Sequence, residues 1–88
     1  MFKVGDLVIG NSKNDYTVTC KGTICLVLDV NELYNSTLVC VIADNINEYA
    51  KNEKNLDLDP KNHKNCDKFW VECCMFDLFT GVPSDNIL

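Results

Sequence analysis

Apolar residues recur along this chain in short runs separated by polar turns. Val4 to Gly10, Tyr16 to Cys20, Thr23 to Val30, Thr37 to Asp44 and Phe69 to Phe79 are rich in β-branched, aromatic and aliphatic residues, the composition of β-strands. Gly5 and Gly10 bracket the first run, Lys21-Gly22-Thr23 makes a tight turn, and Asn31 to Ser36 makes another. Alternation places Ile24, Leu26, Leu28 and Val30 on one face of the third run, with Cys25, Val27 and Asp29 on the other. In the fourth run it sets Val39, Val41 and Ala43 against Leu38, Cys40 and Ile42. Short β-rich runs at close intervals predict an all-β chain, a single small barrel of about five strands.

Between residues 45 and 68 the pattern gives way to Asn, Lys, Asp and Glu. Only Ile46 to Leu56 has the makings of a helical turn or two, and Asn47, Asn52 and Asn55 weaken it. The expectation is a polar hairpin or loop inserted before the last strand, long for so small a domain. The 88 residues then read as one domain, 1–88, with one modest core.

Charge narrows the function. The net charge is −5, and all eight basic residues are lysines. Without arginine the chain lacks the bidentate fork used for phosphate and guanine, so nucleic acid is not the expected partner. Acidic groups at Asp44, Glu48, Glu53, Asp57, Asp59 and Asp67 suit a protein partner with a basic surface. Eleven asparagines beside eight lysines also suggest coding bias in an AT-rich genome. No apolar run approaches the roughly 20 residues of a membrane span, and MFKVGDLV lacks the order of a secretory signal. A cytoplasmic protein with no membrane partner is expected.

Candidate chemistry is thin. Cys25 and Cys40 fall on apolar strands, where a cysteine serves as a small hydrophobe. His63, Cys66, Cys73 and Cys74 are a competent donor set for zinc, but no C-x-x-C knuckle occurs and adjacent cysteines on a strand face opposite ways. No metal and no cofactor is expected. Six cysteines allow 15 pairings, and in a cytoplasmic protein the thiols should be reduced. A His63–Cys66 nucleophilic pair has no supporting motif. Asp57 to Pro60 alternates acids like a calcium loop but lacks its glycine and terminal glutamate. Catalysis is therefore not expected.

The succession VGDLV, YTVTCKGTICLVLDV, STLVCVIAD and FWVECCMF resembles the small SH3-like barrels of the Tudor and KOW type. The resemblance implies a binding module, with Tyr16, Tyr34 and Trp70 as candidate aromatic contacts. A short acidic barrel of this composition also resembles accessory proteins of bacteriophages and mobile elements. Those include inhibitors that block the basic nucleic-acid channel of a host defence protein, such as a CRISPR nuclease. A non-enzymatic protein-binding module is expected, with a virion component or a nucleic-acid-binding barrel as alternatives.

Overall fold

The third and fourth apolar runs become the two longest strands of the computed structural model, which describes residues 1–81. Five strands, β1 (Leu7–Gly10), β2 (Ile24–Asn31), β3 (Ser36–Ala43), β4 (Phe69–Glu72) and β5 (Phe76–Leu78), form one antiparallel sheet in the order β4-β3-β2-β1-β5. The all-β class and the strand number agree with the sequence pattern. The ladder, however, is not the expected closed barrel, because β4 and β5 are its two edges.

Chain geometry curls this open sheet. Only the 3-10 turn Cys73–Met75 separates β4 from β5, so four Cα steps, reaching about 14 Å at most, join opposite edges. Laid flat, five strands would separate those edges by about 19 Å. The edges must therefore bend toward one another, and the core confirms it. Val8, Cys25, Val27, Val39, Val71 and Phe76 form one buried cluster to which every strand contributes.

Two register shifts in the β2–β3 pair, at Ile24/Cys25 and Val27/Asp29, help the bend. They also correct the alternation read from sequence. The extra residue near Leu28 turns Val30 back toward the Cys25 cluster, and the one near Ile42 sends Ala43 to the opposite side with Ile24. There Ile24, Ala43 and Tyr49 make a second cluster, flanked by Leu7, Ile9, Ile42, Leu56 and Phe79.

The second cluster is covered by helix α1 (Ile46–Asn52), the one helical stretch the sequence hinted at. Asn45 caps it by accepting the Glu48 backbone N–H at 2.8 Å. Glu48 reaches back to accept the Asp44 N–H at 3.0 Å, a reciprocal cap of the capping-box kind. Tyr49 is its buried residue and meets Phe79 edge-on with ring centroids 5.0 Å apart. Short 3-10 turns at Glu53–Asn55 and Pro60–Asn62 continue the excursion, which precedes β4 rather than the last strand.

Tyr16 to Cys20 is not a strand. Its β-rich residues join no ladder of the sheet. The Cys20–Thr23 turn is real, with Thr23 N–H donating to Cys20 C=O at 3.0 Å and Gly22 at φ 88°. Gly10 fits against this turn so closely that a Cβ there would lie 2.1 Å from the Cys20 carbonyl oxygen.

These two glycines should fail differently on substitution. Gly22→Ala meets no neighbour and should cost about 1–2 kcal/mol for the left-handed backbone, whereas Gly10→Ala should cost at least about 3 kcal/mol. Urea unfolding of both variants checks the order. A second expectation concerns Cys25, which burial pushes from 9.0 up to about 12. Below pH 9 the thiol stays neutral in both states. Above it the unfolded chain ionises first, so stability should fall as pH rises from 9 toward 12, by up to about 1.4 kcal/mol per pH unit. The slope should be shallower in Cys25→Ala over the same range.

Candidate functional site

Three of the aromatic positions singled out by sequence are exposed, but they do not converge as a trio. Tyr34 stands 71% exposed at the β2–β3 turn. Tyr16 and Trp70 instead line one cleft of about 450 Å³, between residues 16–19 and residues 68–71. Trp70 and Val18, about half exposed at 50% and 49%, add apolar surface to it.

The cleft's position follows from the loop after β1. Asn11 donates from its backbone N–H to Met75 C=O at 3.0 Å and from its side chain to Cys74 C=O at 2.8 Å. Buried Asn14 donates to Met75 C=O at 3.2 Å. Tyr16 then donates its hydroxyl to Glu72 Oε2 at 2.5 Å. That bond holds the Glu72 carboxyl below the usual carboxylate range and pushes the Tyr16 phenol up. Together these contacts pin residues 11–16 across the β4–β5 turn, so that residues 16–19 run beside β4.

Two features make the cleft more than an apolar dent. Among the described residues β4 is a sheet edge, paired only with β3. Thr19 also lines the cleft at 1% exposure, and its Oγ1 has no hydrogen-bond partner among the described residues. A buried hydroxyl left unpaired costs about 1–3 kcal/mol.

The predicted acidic set is dispersed, and several of its members build local structure. Glu48 belongs to the helix cap. Asp57 accepts the Asp59 N–H at 3.0 Å and the Asn62 amide at 2.8 Å, and the Asp59 bond is the main reason its carboxyl lies below the usual range. Asp59 caps the next turn by accepting the Lys61 N–H at 3.0 Å. Asp44 and Glu53 are exposed, whereas Asp67 borders a smaller cavity beside β3.

The donor set His63, Cys66, Cys73 and Cys74, set aside on its spacing, divides. Cys73 contacts Met1 through its sulfur at 3.7 Å, and Cys74 is exposed in the β4–β5 turn. His63 and Cys66 are joined instead by Cys40, which the sequence placed in the core; the ligand atoms of these three all lie within 4.8 Å of one another. Cys40 is both a core residue, 2% exposed, and a member of this cluster. Burial, with the Cys66 thiol adding to it, pushes its pKa up to about 12. Nothing in the local spacing signals the triad, since Cys40 lies on β3, more than 20 residues before its companions. No helix of the described residues is long and apolar enough to cross a membrane. No family model, no curated protein and no solved structure matches the chain.

Proposed function

We propose that this protein is a non-enzymatic binding module that takes an extended, basic segment of a partner protein into the cleft between Tyr16 and Trp70. The observation that carries this reading is the open β4 edge beside the exposed apolar surface of Tyr16, Val18 and Trp70. An extended segment brings its own backbone donors and acceptors to a strand edge and its side chains to the flanking pockets. Tyr16, Val18 and Trp70 supply apolar contacts for alternate residues, and aromatic groups of this kind dominate binding energy.

Charge selects among such segments. With a net charge of −5, the protein attracts basic chains and repels acidic ones, an effect felt mainly in the association rate. The lack of arginine continues to disfavour nucleic acid. A binding role is also consistent with the Cys66 thiol donating to the His63 backbone carbonyl rather than to its ring. Inhibition of a nuclease would be the case in which the bound basic segment lines a nucleic-acid channel.

Panning a library of displayed extended peptides on the intact chain tests the reading. Selected peptides should carry Lys or Arg with apolar residues at alternate positions, and Trp70→Ala should weaken them by at least about tenfold. Failure to select any peptide, or selection of peptides that the variant binds equally well, would overturn it. For a selected peptide, changing Asp44, Glu53 and Asp59 to the matching amides should slow association several-fold at about 0.05 M salt and little at about 0.5 M. The amide at position 59 keeps its capping oxygen, so thermal stability should hold while the rate falls.

A further inference from the structure

Cys40, His63 and Cys66 come from distant parts of the chain and meet at one wall of the sheet. Cys40 points from the middle of β3, while His63 and Cys66 sit in the loop after the Pro60–Asn62 turn. Their ligand atoms all lie within 4.8 Å of one another. In a tetrahedral site with zinc–sulfur bonds of about 2.3 Å, ligand atoms stand about 3.8 Å apart. A contraction of about 1 Å or less, shared among three side chains, would close the set.

One ring nitrogen of His63 already has a backbone partner. Its Nε2 lies 2.6 Å from the Asp57 carbonyl oxygen. A carbonyl can only accept, so Nε2 carries the proton and Nδ1 of the neutral ring keeps its lone pair. Metal-binding histidines are commonly held in this way, by a hydrogen bond from the other ring nitrogen. The Asp57 carbonyl is itself fixed by the turn in which the Asp57 side chain accepts from Asp59 and Asn62.

We propose that Cys40, His63 and Cys66 form a zinc-binding site with two thiolates and one imidazole as protein ligands. On binding, each thiol gives up its proton to solvent, and the Cys66 hydrogen bond to the His63 carbonyl is exchanged for a zinc–sulfur bond. Cys40 and Cys66 border an adjoining cavity of about 240 Å³, which leaves room for water at the fourth position. The soft, mixed sulfur–nitrogen set suits zinc over magnesium or calcium, which take oxygen ligands.

The test uses the full chain, reduced and stripped of metal with a chelator, then titrated with Zn²⁺ and separately with Co²⁺. Zinc should bind one to one and raise the melting temperature. Cobalt should give the thiolate charge-transfer and visible bands of a tetrahedral site. Cys40→Ser risks the core, so His63→Ala and Cys66→Ser carry the comparison, with folding checked by circular dichroism. Each should weaken zinc at least about 100-fold, because it removes a direct ligand and loss of an outer-shell partner alone costs 10–100-fold. A triple variant, Cys20→Ser, Cys73→Ser and Cys74→Ser, should bind as the parent does. Absence of one-to-one binding, or binding that survives the loss of His63 and Cys66 and disappears in the triple variant, would overturn the proposal.

Discussion

The constraint on which the rest depends is the shortness of the link between β4 and β5. A single 3-10 turn spans opposite edges of a five-stranded sheet, and no flat arrangement satisfies it. Curling gathers Val71 from β4 and Phe76 from β5 onto the same cluster as Val8, Cys25 and Val39. Slack is equally small at Gly10, where β1 runs against the Cys20–Thr23 turn. Hydrogen bonding stops short of closure, so β4 keeps an unpaired side. Sheet edges of this kind are usually protected or used. This one is short, ends in Glu72, and is overlooked by Tyr16 and Val18.

Holding so tight a crossing needs polar contacts, and asparagine supplies several of them. Asn11 and Asn14 bind the carbonyls of Cys74 and Met75, and Asn45 caps α1. Asn35 takes the left-handed conformation at φ 49° in the β2–β3 turn. Asparagine suits these tasks because its short side chain mimics a backbone amide and tolerates that conformation. Abundance in the composition hides this. Coding bias and structural use look alike until the carbonyls they serve are placed.

What could be read from the sequence was what depends on neighbours along the chain. The alternation of β2 and β3, the Gly22 turn and the turn at Asn31–Ser36 are local, and each is present. Bulges broke the alternation at Val30 and Ala43 because an extra residue in one strand leaves no mark on apolar pattern. Tyr16 to Cys20 has strand composition without a strand, since propensity describes a surface to be packed and cannot supply a partner. The cleft was half legible: Tyr16 and Trp70 stood among the candidate aromatic contacts, but Thr19 and the open β4 edge depend on topology. The Cys40–His63–Cys66 cluster was hidden for a related reason. Cys40 satisfies every test of a core residue, and only the fold of the intervening excursion brings the other two to it.

The two proposed sites share a wall. Val18 and Phe69 line both the aromatic cleft and the cavity beside Cys40 and Cys66, while Asp67 and Lys68, consecutive in the chain, face one each. A cation at the triad would tie the end of the excursion to the middle of β3, just before the chain enters β4. Residues that border a cleft and are free to move must be ordered when a ligand arrives, and that ordering subtracts from affinity. Fixing Cys66 would restrain Asp67 to Phe69 in advance and leave less to be ordered on binding. The metal would then strengthen recognition without touching the bound segment, through the stiffness of the strand that receives it.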